Sequence, residues 1–357
     1  MKEKSLTNRN IAFDLLRILA CFMIIIDHTA GGFLVTNPYN RWWLLLDFYF
    51  FLSKPAVALF FMLSGSLLLK KQESVKNWLT KRVLRIVLVI VIFTLPHEIF
   101  ANGSSFDLLS YIKFLWSSST GSYWYLYAYL GLMLTLPITR KLANSLEKWE
   151  YIFGFILWGV FIVVLPQLVT DCGFLYVNPH FSIGLFSVSS YVLFLLGHFL
   201  TNVCTFNFDK RGKLLICLLG IAPIFVATFV TKNQFLSPDG SNFLSLDKYD
   251  SFSSVIPAIC LFMLAVSSKS NQHTVEGNEK KTYKIVARII TEVSQVTFGI
   301  YLLSDIGIKQ LMQIYFDIAE KGLEVVFSCI IYDLVVFLIL GIIVYILRLI
   351  PPVKKLI

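Results

Sequence analysis

The chain has 357 residues, of which 57% are hydrophobic and only 15% charged, with a formal net charge of +9. A soluble domain carries about 25% charged residues, so this composition excludes an ordinary soluble globular protein and points to a polytopic membrane protein. The abundance of Phe (32), Tyr (16) and Trp (7) fits aromatic rings gathered at membrane interfaces.

Apolar runs of about 20 residues mark membrane-crossing helices, and ten are expected, over about 11–35, 43–69, 83–101, 123–140, 149–169, 183–202, 213–231, 252–268, 291–313 and 324–350. The expected fold is all-α, a single integral-membrane domain over 1–357. With the N-terminus in the cytoplasm and the helices alternating, 23 of the 31 Lys and Arg residues fall on cytoplasmic segments or adjacent helix ends. That asymmetry places both termini in the cytoplasm. The basic charge is therefore topological and implies no nucleic-acid partner.

The first run, FDLLRILACFMIIIDHTAGG, holds Asp14, Arg17, Asp27 and His28 and is followed by no small-residue cleavage pattern, so it reads as a resident helix rather than a signal peptide. Eleven residues separate Arg17 from His28. At ~100° per residue the two side chains share one face to within about 20°, roughly 16 Å apart along the axis. Ionisable groups at membrane depth mark functional sites. A guanidinium fork suits a phosphate or carboxylate, and an imidazole suits proton abstraction near neutral pH. The plainer reading has Arg17 neutralised by Asp14 at i,i+3 and His28 acting as an interfacial hydrogen-bonder.

In the second run, Lys54 lies too deep for easy snorkelling and precedes Pro55, with Asp27 and Asp47 as its possible partners. A structural ion pair and a substrate-tunnel charge are both open. Ser64-Gly65 reads as a close helix contact rather than as chemistry. Lys81, Arg82 and Arg85 open the third helix at the cytoplasmic face, where a positive-inside anchor and a phosphate site are compatible. His97 and Glu98 follow Pro96 near the outer end of the same helix, either as acceptor-site groups or as ordinary polar interface residues. Trp124, Tyr125 and Tyr301 suit stacking on a sugar ring or aromatic-belt packing. His198 reads as structural, and Asp333 has no evident partner. The six cysteines at 21, 172, 204, 217, 260 and 329 are scattered without metal-like spacing, so they read as apolar fillers and no metal site is expected.

Four stretches resemble the integral-membrane acyltransferase-3 family, which includes bacterial O-acetyltransferases of surface polysaccharides. They are Arg17 and His28 as the arginine–ten residues–histidine signature, VALFFMLSGSLLL (57–69) followed by WLTKRVLRIVLVIV (78–91), SYWYLYAYLGL (122–132), and VSQVTFGIYLLSDIG (293–307). Many members carry a histidine after the Tyr-Leu pair of the last motif, where this chain has Ser304 followed by Asp305.

The resemblance implies an O-acyltransferase of the bacterial inner membrane. It would move an acyl group, acetyl or succinyl, from cytoplasmic acyl-CoA to a hydroxyl of an extracytoplasmic glycan or lipid-linked saccharide. Acetyl-CoA is then a co-substrate and no cofactor is expected. In that reading His28 is catalytic and Arg17 serves the donor. Lys81, Arg82 and Arg85 assist at the donor phosphates, whereas His97, Glu98, Trp124, Tyr125, Tyr301 and Asp305 belong to the acceptor side. The acyl group goes directly to the acceptor or to a separate extracytoplasmic transferase. The alternative function is a transporter or flippase for a polysaccharide or lipid precursor.

Overall fold

The computed structural model describes residues 10–36, 41–103, 107–117, 121–169, 182–235, 246–268 and 278–357. Every regular element among them is helical. In chain order they are α1 (Ile11–Thr36), α2 (Trp43–Ser53), α3 (Pro55–Leu68), α4 (Val75–Trp78), α5 (Leu84–Asn102), α6 (Leu108–Ser117), α7 (Trp124–Ser145), α8 (Lys148–Trp158), α9 (Leu165–Val169), α10 (Ser189–His198), α11 (Lys210–Phe235), α12 (Phe252–Ser267), α13 (Asn278–Gln310), α14 (Met312–Ala319), α15 (Val325–Leu347) and α16 (Pro351–Leu356). The N-terminal tail through residue 9 and Cys172 lie outside the described residues.

Among the described residues, six helical segments are long and apolar enough to cross a membrane: Trp43–Leu68, Val75–Phe100, Lys148–Gln167, Lys210–Lys232, Tyr283–Gln310 and Val325–Leu347. Ser189–Val203 and Phe252–Ser267 are shorter apolar helices. With α1 (26 residues) and α7 (22 residues), the described helices account for a polytopic membrane protein. Side chains such as Phe229 (64% exposed) and Leu338 (62%) stand outward on these helices, where hydrocarbon rather than water is their natural solvent.

The residues divide into two compact units, one formed by 1–70 and 145–295, the other by 71–144 and 296–357. In the first unit α3 is central, packing on α1, α10 and α12. Its Ala58, Leu59, Phe61, Met62 and Leu63 are buried, and Phe13 of α1 stacks on Phe262 of α12 at 5.5 Å. The closest approach is reciprocal. A Cβ on Gly65 would meet the Phe194 carbonyl oxygen of α10 at 1.7 Å, and one on Gly197 would meet the Met62 carbonyl oxygen of α3 at 1.9 Å. Two glycines facing opposite ways across the crossing let the backbones touch, which gives Ser64-Gly65 its packing role. Between α2 and α3, Pro55 supplies no N–H to the ladder, and the helix breaks at Lys54.

In the second unit, Gly299 and Gly307 of α13 receive Val344 and Leu340 of α15, and Tyr332 Oη donates to the Ile308 carbonyl at 2.5 Å. Trp78 Nε1 donates to the Met133 carbonyl at 2.7 Å and fastens α4 to α7. Between α4 and α5 the ladder widens for one turn, with the Leu84 N–H reaching back to Leu79 O. Such π turns re-aim the side chains they carry, here Lys81 and Arg82.

Candidate functional site

Arg17 and His28 both lie on the single unbroken helix α1, and both side chains are half-buried. Asp14, fully buried in the first turn, accepts from Arg17 Nη1 at 2.6 Å. It also accepts from Ser294 Oγ at 2.9 Å and Thr291 Oγ1 at 3.4 Å, both on α13. The i,i+3 pair therefore forms, but it does not bury the arginine, whose side chain stays 27% exposed. Three donors around one carboxylate satisfy its buried charge, and the guanidinium is oriented while remaining reachable. The link to α13 spans 277–280 residues and leaves no local signal in the sequence.

The residue before His28 anchors a second ion pair. Asp27 Oδ1 meets Lys54 Nζ at 2.6 Å and Ser53 Oγ at 3.3 Å. The ammonium also sits 3.6 Å from the centre of the Phe50 ring, a cation–π contact. Of the two partners foreseen for Lys54, Asp27 takes the direct contact, while Asp47 is buried on α2. Lys54 reaches Asp27 of α1, so an otherwise costly buried cation is paired and ring-capped.

In the second unit, the three cations foreseen at the start of the third membrane segment have separate surroundings. Lys81 is exposed. Arg85 Nε donates to the Leu356 carbonyl of α16 at 3.0 Å, its guanidinium lying 5.8 Å from the Phe298 ring centre. Arg82 grips Glu73 in a fork, Nε to Oε2 at 3.2 Å and Nη2 to Oε1. Arg140 of α7 reaches the same carboxylate, Nη2 to Oε2 at 3.0 Å. Arg82's hydrogen bond, reinforced by Arg140's, holds the Glu73 carboxyl well below its ordinary value, at about 2. Arg140 is not among the donor-side residues foreseen from the sequence. Its closeness to Arg82 arises from the α4–α7 packing.

His97 and Glu98 are buried, at 5% and 1% exposure. His97 Nε2 donates to the Leu302 carbonyl at 3.3 Å, its Nδ1 lies 3.5 Å from Asp305 Oδ2, and its ring meets Tyr123 edge-on at 4.8 Å. Asp305 also takes Lys309 Nζ at 3.2 Å. The structure thus brings His97 and Asp305 together, while Ser304 turns inward and donates to its own Tyr301 carbonyl at 2.8 Å. Tyr123 was not foreseen as a site residue, and its hydroxyl shares the Leu302 carbonyl at 2.7 Å. Tyr301 donates to the Ser122 carbonyl at 2.6 Å and packs edge-on against Tyr125 at 5.9 Å, with Trp124 outermost at 37% exposure. His198 is buried beside Asn202 at 3.3 Å, a structural setting, and Asp333 has Cys329 Sγ at 3.6 Å. The five described cysteines are free thiols.

These features define an all-helical multi-pass membrane protein whose first helix presents an oriented arginine and a histidine on one face, three turns apart. The chain matches the family model described as an acyltransferase domain (Acyl_transf_3) over residues 10–350, and it belongs to that family. It is a membrane acyltransferase. No curated protein and no solved structure matches it.

Proposed function

We propose that this protein transfers an acyl group, acetyl in the first instance, from acyl-CoA to a hydroxyl of an extracytoplasmic or lipid-linked glycan in the bacterial inner membrane. The observation that carries the reading is the Arg17–His28 face of α1, with Arg17 oriented by buried Asp14 and both side chains half-buried. A guanidinium held this way binds an anionic donor group without paying for its own ordering. His28, about 16 Å farther along the helix, removes the acceptor hydroxyl's proton as the oxygen attacks the thioester carbon. The C–O bond forms, the C–S bond breaks, and the proton passes from the imidazole to the departing CoA thiolate, so the step balances without a cofactor. The pantetheine arm of the donor is long enough to span the arginine-to-histidine distance.

The test is radiolabel transfer in inside-out vesicles given labelled acetyl-CoA and envelope glycolipids, with wild type compared to His28→Ala and Arg17→Ala at matched folded protein. Label reaching a saccharide in wild type alone is the expected result. Absence of CoA-dependent labelling, with succinyl-CoA also tried, refutes the reading.

A further inference from the structure

Two arginines from different helices close on one carboxylate that belongs to neither helix. Glu73 sits on the short non-helical connector between α3 and α4, flanked by exposed Lys71, Gln72 and Ser74, yet its own side chain is only 14% exposed. Arg82 comes from the π turn and Arg140 from α7, with side chains 24% and 11% exposed. Planar guanidiniums converging on two oxygens form the geometry that binds a phosphate group in two-point fashion. A carboxylate held there is chemically a stand-in for such a group.

A purely structural role would make Glu73 the tie between the α4–α5 entry and α7. That tie already exists, because Trp78 Nε1 bonds the Met133 carbonyl of α7 at 2.7 Å. Glu73 is therefore not the only link between these segments, and its connector lies outside the helices on either side. Arg82 and Arg140 lie on the segments whose positive-inside charge faces the cytoplasm, the side on which soluble phosphate esters are found.

We infer that Arg82 and Arg140 form a phosphate-binding cradle that Glu73 occupies as an internal competitor, so that a phosphate-bearing ligand binds by displacing the carboxylate. The inference rests on the acyl-CoA reading for its preferred ligand, a nucleotide 3′-phosphate or diphosphate, but its test does not require turnover. A carboxylate leaving for water at neutral pH stays charged and is solvated, so the exchange trades one ion pair for another with no proton taken up or released. Removing the competitor's charge improves the ligand's affinity by the share of time the cradle was occupied.

The test measures binding of adenosine 3′,5′-bisphosphate, and separately of CoA, to the full-length protein in nanodiscs by isothermal titration. The variants are wild type, Glu73→Gln, and Glu73→Gln combined with Arg140→Met. Glu73→Gln keeps the shape and one acceptor, and its fold is checked by thermal midpoint. The expected result is about tenfold or greater tightening in Glu73→Gln, lost again when Arg140 is removed, given the strength of charge-assisted two-point contacts. Discs of zwitterionic lipid and discs containing phosphatidylglycerol separate the sources. Tightening seen only in zwitterionic discs, with anionic lipid competing, assigns the cradle to lipid phosphate as well as to the nucleotide. Unchanged or weaker nucleotide binding in folded Glu73→Gln overturns the inference. If instead wild type binds CoA and gains affinity in Glu73→Gln but transfers no acyl group, the acyltransfer reading fails and the cradle stands.

Discussion

Replacing Gly65 with alanine tests the closest approach found at any of the described glycines. The added Cβ would stand 1.7 Å from the Phe194 carbonyl oxygen and 2.6 Å from its carbon, whereas real Cβ contacts stop near 3.0 Å. Neither obstacle is a rotatable side chain, so α3 and α10 must part by at least about 1.3 Å, the difference between the tolerated and the imposed distance. A gap of 0.5–1 Å already forfeits about a quarter to a half of each dispersion contact, at about 0.1–0.2 kcal/mol per atom pair. Over the few dozen pairs that line a helix crossing, the loss is about 3 kcal/mol, at the upper end of measured overpacking costs. Lipid tails are as apolar as the side chains, so no hydrophobic term recovers it. In detergent the thermal midpoint of Gly65→Ala should fall by roughly 5 °C or more, and Gly197→Ala should do the same through the Met62 carbonyl, 1.9 Å from its new Cβ. Once one alanine has separated the helices the second adds little, so the double variant should lose clearly less than the two losses combined. Midpoints within 1 °C of wild type for both single variants would refute the close-crossing argument.

Other consequences are as concrete. Lys54→Met strands Asp27 beside its 3.3 Å hydroxyl partner without the ammonium 2.6 Å away. It should cost about 3 kcal/mol, with Asp27→Asn in the same chain restoring most of it in a double-mutant thermal cycle. Asp14→Asn removes the charge that orients Arg17, so the KM for acyl-CoA should rise by about tenfold with a smaller change in kcat, measured by steady-state transfer at varied donor. Glu73 has its carboxyl held at about 2 against an ordinary 4.5. A depressed folded value stabilises fully above the unfolded value and is lost as pH falls. The midpoint difference between wild type and Glu73→Gln should therefore be constant above pH 4.5 and shrink between 4.5 and about 2.

What the sequence discloses follows from which interactions are local. The apolar runs mark the helices because each must satisfy its own backbone in hydrocarbon. The Arg17–His28 face is fixed by helical geometry within α1, and Asp14 was identifiable as Arg17's partner because it lies three residues away. The helix that opens at Asn278 shows the limit of hydropathy: its first turns, NEKKTYK, are polar and lie ahead of the apolar run expected to start near 291. Contacts made across long stretches of chain stayed hidden. Ser294 and Thr291 reach Asp14 across about 280 residues, Arg140 reaches Glu73 across 67, and Leu302 meets His97 across 205. Polar residues at a helix end look alike in sequence whether they face water or a partner. Only the packing of α5 against α13 buries His97 next to Asp305.

The central claim is that His28 carries the proton transfer of acyl movement from CoA. Its most direct test is the initial rate of acetyl transfer to glycolipid in inside-out vesicles at saturating acetyl-CoA, comparing wild type with His28→Ala and His28→Gln of equal thermal midpoint. Loss of a general base predicts a fall of at least about a hundredfold in both variants, with CoA binding retained. Either variant transferring acetyl at a rate near wild type would contradict the account.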